Sequence, residues 1–319
     1  MDLPADSQLR WILRHTATLL EQGAEPVSGL VQPNGEFFPD HFDASPRALA
    51  ALMNRVKEHA GLGDLTIDLS IVTPEGEAQK VSCASGACGP GGKIDTKLGR
   101  VSQRGDGDYM VAVTPGEARN PVVLTTTFVR SVSHIFLTEA DAYRGVIPTD
   151  REPVADLAAV LLGFGVLMSN GAYLYMKGCS GVSVHSATRM PVDEITVGLA
   201  LFCKLHDVSD RAASKHLELT PAEHFDEASV WASSNSALVK LLRDEPERVR
   251  EGEYSIAPAR SWLARALGGK KKRARSDDEE LADLERSLPA AAAKPRVFDP
   301  QKAEKLAELR ALVDESFGS

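Results

Sequence analysis

The chain has 319 residues, of which 43% are hydrophobic and 25% are charged, a composition typical of a soluble globular protein. Its formal net charge of −9 argues against a general nucleic-acid-binding protein. The polar start, Met1–Gln8, lacks the basic and apolar regions of a secretory signal, and four irregularly spaced cysteines do not suggest a disulfide framework. We therefore expect a cytoplasmic protein.

The first part of the chain predicts helices and then strands. Residues 1–24 contain an amphipathic helix, Asp6–Gln22, and Ser45 followed by Pro46 is typical of a second helix start. The alternation in "LTIDLSIV", residues 65–72, indicates a half-buried strand. "QKVSCAS" and "DYMVAVT" predict two more strands, joined by a glycine-rich hairpin connection at residues 86–108.

The second part is predominantly helical. "GVSVHSATRMP", residues 181–191, fits a short hairpin or a loop, and the predicted helices are Asn120–Leu137, Glu152–Met176, Val192–His206 and Pro221–Leu242. Residues 25–265 are therefore expected to form an α+β domain, in which a small mixed sheet packs on a helical C-terminal half.

One uncharged segment, Leu157–Met176, is long enough to span a bilayer. Ser169, Asn170 and Gly171 interrupt it, and its flanks lack a clear basic asymmetry. These features favour a buried core helix over a membrane helix.

Residues 266–319 form a different region, with a basic run at residues 270–275 followed at once by acidic residues. We expect a charged linker and a tail, 268–319, with two short amphipathic helices that dock on this protein or on a protein partner. Limited proteolysis should cut first within residues 268–298.

The most informative segment is "TTTFVRSVSHIF", residues 125–136. In zinc hydrolases, H-E-x-x-H places two histidines on one helix face and aims the glutamate at the metal-bound water. Here Arg130 and Ser131 occupy the first two positions, and His134 occupies the last. A guanidinium cannot ligate zinc, and serine cannot replace the glutamate base.

From "EFFPDHFDASP" to "LALFCKLHDV", about half of the chain, the order of features resembles an uncharacterised bacterial family with a zincin-like H-E-x-x-H helix. The resemblance is strongest at "EPVADLAAVLLGFGVL", residues 152–167, which is similar to that family's "EPLTDLLTVFFGLGIF". It implies a zincin-like fold and a third metal ligand at Glu152, with Asp156 one turn later. Because the first histidine and the glutamate are replaced, it also implies a pseudoenzyme without catalytic residues, metal or cofactor.

These positions yield a structural hypothesis and a functional one. Arg130 is expected to form an ion pair with Glu152 or Asp156, with His134 hydrogen-bonded nearby, because a buried carboxylate needs a compensating charge. The chain is then a non-catalytic protein that acts through protein–protein contacts. The alternatives are a metal-dependent hydrolase using His134, Glu152 and Asp156 or His185, and a membrane-associated protein using residues 157–176.

The cysteines give weaker predictions. Cys83 and Cys88 have the spacing of half a zinc site, but Cys179 and Cys203 are not a second close pair. Cys179 and His185 lack an identifiable third group for nucleophilic catalysis. We therefore expect buried or loop thiols.

Overall fold

The structure is a computed structural model that describes residues 3–72, 100–178 and 181–258, and it shows a mixed α+β fold that is 58% helical. The helices are α1 (Asp6–Glu21), α2 (Pro46–His59), α3 (Pro115–Ala118), α4 (Pro121–Glu139), α5 (Arg151–Ala159), α6 (Gly165–Ala172), α7 (Val192–Leu205), α8 (Asp210–Ser214), α9 (Leu219–Ser234), α10 (Ser236–Asp244) and α11 (Pro246–Arg250). The strands are β1 (Thr66–Ile71), β2 (Val101–Gly105), β3 (Asp108–Val113), β4 (Leu174–Gly178) and β5 (Gly181–His185).

Two helix starts follow from their capping residues. The Ser45 side chain accepts a hydrogen bond from the Ala48 N–H at the start of α2, and Pro46 occupies the first turn. Asn120 caps α4 in the same way, with Pro121 following it. Both side chains satisfy a backbone N–H that the helix itself leaves without a partner, so both predicted starts are confirmed.

The first sheet is small and mixed, as predicted. Its strand order is β1-β3-β2, with β1 parallel and β2 antiparallel to β3. Alternate residues of β3, Tyr109, Val111 and Val113, are buried, and the Tyr109 hydroxyl donates to Glu139 on α4. The alternation predicted for β1 fails at its end, because Ile71 is 53% exposed.

The long apolar segment is not one continuous α-helix. A π-helical turn, Val160–Phe164, joins α5 to α6, and Gly163 within it has a φ of 100°. The segment ends at Ala172 rather than at the predicted Met176, because β4 begins at Leu174 and pairs antiparallel with β5. Of residues 181–191, predicted as a short hairpin or a loop, only Gly181–His185 form a strand, and its partner β4 lies before that segment. The predicted C-terminal end of the apolar helix is wrong.

The apolar segment lies at the centre of the fold. Pro148–Ala172 is the one helical stretch in the described residues that is long and apolar enough to cross a membrane, and its apolar window is entirely buried in the protein. Helices α4 and α7 pack directly against it. The predicted burial of this segment beside α4 is confirmed.

The helix predicted for Pro221–Leu242 is divided at Asn235 into α9 and α10. The Asn235 amide donates to the carbonyls of Trp231 and Ala257 and accepts from the Ala257 N–H. These bonds hold the last described segment against the helix junction. Helices α8 and α11 were not predicted, and both are only five residues long.

One hydrophobic core joins the helices to the first sheet, and it includes Ile12 and Leu13 of α1. By its internal contacts the chain divides into Met1–Ala266 and Leu267–Ser319, and all described residues belong to the first unit. The strand "QKVSCAS", most of the glycine-rich connection, the tail 268–319 and residues Cys83, Cys88 and Cys179 lie outside the described residues.

Candidate functional site: a buried ion-pair cluster

Helix α4 contains the motif positions Arg130, Ser131 and His134, and most of the helix lies in the protein interior. The buried part includes several of its polar residues: Arg130 is 3% exposed and Ser131 is 1% exposed. The Ser131 hydroxyl donates to the Thr127 carbonyl of its own helix at 2.8 Å. The Arg130 side chain extends from this helix to the neighbouring α5.

Asp156 on α5 is the partner that Arg130 reaches. Its side chain is fully buried, and one carboxylate oxygen accepts a hydrogen bond from the Arg130 Nε. The second oxygen accepts from the backbone N–H groups of Arg189 at 2.5 Å and Met190 at 2.9 Å. One carboxylate therefore joins α4, α5 and the segment that precedes α7.

Glu152 lies one turn before Asp156 and is nearer to solvent, with a side chain that is 26% exposed. Its Oε2 accepts a hydrogen bond from the Arg189 Nε at 2.6 Å and lies 4.0 Å from the Arg130 Nη2. Together Arg130, Asp156, Glu152 and Arg189 form a cluster of two cations and two carboxylates, which we call the Arg130 cluster.

His134 lies one turn after Arg130 and contacts a residue that follows α4. Its Nδ1 shares a hydrogen bond of 2.6 Å with the Tyr143 hydroxyl, and Arg151 lies 5.5 Å from the centre of the Tyr143 ring. Burial lowers the pKa of His134, and the charges of Arg151 and Arg130 lower it further. The imidazole is therefore neutral at neutral pH.

Burial raises the pKa of Asp156, because an ionised carboxylate loses its hydration there. Arg130 and the two backbone N–H donors act in the opposite direction by stabilising the charged form. Burial likewise raises the pKa of the Tyr143 hydroxyl, so this group keeps its proton.

The predicted ion pair is confirmed: Arg130 binds Asp156 closely, approaches Glu152, and has a hydrogen-bonded His134 on the next turn. These side chains do not fit a zinc ion. A permanently charged guanidinium stands at the first position, and both Asp156 oxygens already accept hydrogen bonds.

The ligand set of the hydrolase alternative is not assembled as a metal site. Within residues 3–72, 100–178 and 181–258, no three His, Cys, Asp or Glu side chains converge in a way that could hold an ion. His185 shares a hydrogen bond of 2.8 Å with the nearby Ser183 hydroxyl. Cys203 is buried, which raises the pKa of its thiol to about 12 and keeps it protonated.

Sequence reasoning missed one of the four residues of the Arg130 cluster and also the partner of His134. Arg189 supplies a backbone donor to Asp156 and a side-chain donor to Glu152, and Tyr143 is the partner of His134. No spacing pattern marks these residues. The one available signal was chemical, since a buried carboxylate has about four lone-pair sites and a single arginine can occupy only about two of them.

No protein-family model, no curated protein and no solved structure matches this chain.

Proposed function

We propose that this protein is a non-catalytic, zincin-like binding protein, a pseudo-metallopeptidase that acts through contacts with other proteins. The observation that carries the proposal is the buried pair between Arg130 and Asp156. Arg130 lies at the position where the family resemblance puts the first metal ligand. The carboxylate of Asp156, one turn after the implied third ligand Glu152, neutralises the charge of Arg130.

The proposal accounts for the charge and the polarity of the cluster. In a zincin the metal compensates the acidic residues around it, and without a metal the fully buried Asp156 would be an uncompensated charge. Here Arg130 provides the positive charge next to Asp156, while Arg189 binds the more exposed Glu152. The four charged side chains of the Arg130 cluster are thereby paired with one another.

In this proposal the cluster has a structural role and not a catalytic one. Its hydrogen bonds connect two helices and the segment before α7, so the surface built on these elements is held in a fixed arrangement. A fixed surface lowers the entropic cost of binding, which suits a protein–protein binding module.

Metal analysis of the purified native protein tests the proposal. We expect far less than one zinc per chain, with no peptide hydrolysis after zinc is added. The Arg130→His variant, alone or together with Ser131→Glu, should bind zinc more tightly than Ser131→Glu alone, because position 130 supplies the missing ligand whereas position 131 supplies the base.

Stoichiometric zinc in the native protein, or zinc-dependent cleavage of peptides, would overturn the proposal and favour a hydrolase with rearranged ligands. Ser131→Glu alone serves as the control for a general gain of negative charge. If it binds zinc as tightly as the double variant, the zincin-like alignment of Arg130 is wrong.

A further inference from the structure

An open groove lies on the protein surface, away from the Arg130 cluster. It runs between the loop at residues 33–42 and helices α2, α4 and α6, and its volume is about 350 Å³. Its floor is largely apolar, formed by Phe38, Phe42, Leu52 and Leu167. A recess of this size falls within the range of known binding sites.

A second recess of about 130 Å³ extends this groove. The two share the lining residues Pro33, Pro121, Thr125 and Leu167, so they form one continuous depression. We call this depression the α2–α4 groove. Its far end contains Val122, whose side chain is 45% exposed. An elongated apolar recess suits a chain segment better than a compact small molecule.

The walls of the α2–α4 groove are held in place without a ligand. The Asn34 side chain accepts a hydrogen bond from the Glu36 N–H at 3.0 Å and so fixes the turn. A ring nitrogen of His59 lies 3.0 Å from the Phe37 carbonyl oxygen, and its ring packs edge-on against Phe37 and Phe38. A site that is already formed loses little conformational entropy when it binds.

The far end of the α2–α4 groove continues into exposed apolar surface. Asn170 lines this end, and its side chain bonds the His216 carbonyl and the Glu218 N–H. The next residue, Leu219, is 75% exposed. Apolar side chains exposed beside a recess of this kind are typical of a protein-binding surface.

The mouth of the α2–α4 groove is acidic. Three exposed carboxylates, Glu36, Asp40 and Asp43, lie along the loop, and no lysine or arginine occurs between residues 36 and 45. Helix α2 adds Arg47, Arg55 and Glu58, while its Lys57 donates to the Leu65 carbonyl just before β1. Arg55 is committed to two of the carboxylates, Asp40 at 2.8 Å and Glu58 at 3.2 Å. These four carboxylates therefore outnumber the two arginines, and Asp40 is the one that lines the recess itself.

We propose that the α2–α4 groove binds a basic amphipathic peptide segment of a partner protein. An apolar side chain of the segment enters the recess over Phe38, Phe42 and Leu52, and flanking lysine or arginine side chains lie against the acidic loop. This inference rests on the proposed role as a binding protein and names the chemistry of the partner.

A displayed library of random twelve-residue peptides, selected on the full chain, provides the test. The enriched peptides should combine large apolar residues with lysine or arginine, and their affinity should fall with rising salt. Synthetic copies of the enriched peptides are then measured against two groove variants and two matched controls.

The first variant, Gly35→Trp, fills the recess. A Cβ atom added at Gly35 meets no atom within 4 Å, so a side chain can start there without a clash, and we expect at least tenfold weaker peptide binding. Gly63→Trp is the matched control, because Gly63 is equally open and lies outside the groove. It should bind the peptides as the native protein does.

The second variant, Glu36→Lys, reverses one charge at the mouth and should weaken binding several-fold with a smaller salt dependence. Glu227→Lys, an exposed position on α9, is the control for the change in net charge.

If the peptides bind equally well to Gly35→Trp and to the native protein, the groove is not their binding site. The protein would then bind them at another surface. If no peptide is enriched, the groove proposal is wrong. The zinc measurement would still test separately whether the protein is a pseudo-metallopeptidase.

Discussion

Asp156 is a charged group in a fully buried position, and its three hydrogen-bond donors determine what the site can tolerate. Desolvation makes the pair with Arg130 costly to form, so its net contribution to stability is small compared with the cost of breaking it. Removing one partner leaves the other as an uncompensated buried charge. The cluster should therefore be sensitive to single substitutions and tolerant of matched double ones.

Arg130→Ala should lower the free energy of unfolding by about 3–5 kcal/mol, because it leaves the Asp156 carboxylate buried without a counter-charge. Urea denaturation followed by circular dichroism measures the loss. Arg189→Ala is the natural comparison, since its ion pair with Glu152 is partly exposed and should contribute only about 0–1 kcal/mol.

The double variant Arg130→Met/Asp156→Asn should recover much of the loss seen in Arg130→Ala. It removes both charges but keeps a side-chain oxygen for the N–H groups of Arg189 and Met190. Equal losses in the single and the double variant would show that lost packing, and not an unpaired charge, explains the effect.

His15 provides a pH-dependent contribution to stability. Burial lowers its pKa from 6.5 to about 4, with a further contribution from Arg14, while Asp150 at 3.8 Å opposes the shift. The unfolded chain takes up the proton more readily than the folded one. The stabilisation is therefore complete above pH 6.5 and is lost as the pH falls through 4.

A shift of this size corresponds to at most ~3.4 kcal/mol, and we expect about 2 kcal/mol after solvent screening. The measurement compares the native protein with His15→Gln between pH 7 and pH 4. The free energy of unfolding of the native protein minus that of His15→Gln should fall by about 2 kcal/mol between pH 7 and pH 4. Because His134 and His206 remain in both proteins, a constant difference would contradict the assignment to His15.

Only the part of the candidate site that combined the family resemblance with the cost of burying a carboxylate could be predicted from the sequence. The spacing of Arg130, Glu152 and Asp156 came from the resemblance, and the cost of a buried carboxylate then predicted the ion pair. Arg189 and Tyr143 could not be found in this way. They come from connecting segments whose positions depend on how the helices pack.

At the scale of elements, the π-helical turn between α5 and α6 depends on a single glycine. Gly163 has a φ of 100°, and a Cβ atom there would overlap the Gly29 carbonyl oxygen. The Gly163 carbonyl in turn accepts a hydrogen bond from the Val31 N–H at 2.9 Å. The absence of a side chain lets the loop before α2 lie directly against the turn.

Gly163→Ala should therefore lower the free energy of unfolding by at least about 3 kcal/mol, since backbone strain and overlap with a main-chain atom add together. Gly198→Ala on α7 is the matched control. Its nearest contact is the flexible Leu157 side chain at 3.3 Å, and alanine also favours a helix, so we expect a change within about 1 kcal/mol. Thermal unfolding of both variants measures the contrast, and similar losses in the two would contradict it.

The elements that were predicted correctly have local causes. Caps at Ser45 and Asn120 determine where α2 and α4 begin, and the alternation from Leu65 defines most of β1. The error at the end of the apolar segment has a cause outside that segment. The apolar segment ends at Ala172 because β4 has a partner in β5, and an apolar run does not distinguish a helix from a buried strand.

At the scale of the whole molecule, the core continues across the boundary that the sequence suggested after residue 24. Helix α1 packs against α5, α7 and α11, and its residues Ile12, Leu13 and Ala17 are completely buried in the same core as the Arg130 cluster's helices. A helix with so much buried apolar surface should not unfold separately from the rest.

Leu13→Ala should lower the unfolding free energy of the entire described domain by about 2–5 kcal/mol, through lost apolar burial and the remaining cavity. Hydrogen exchange measured on peptides from α1 and α7 distinguishes global from local opening. Both helices should lose protection equally, because one cooperative core contains them. The exposed neighbour Gln8→Ala is the control and should change stability by less than about 0.5 kcal/mol. Faster exchange confined to α1, with α7 unchanged, would mean that the N-terminal helix is a separate unit.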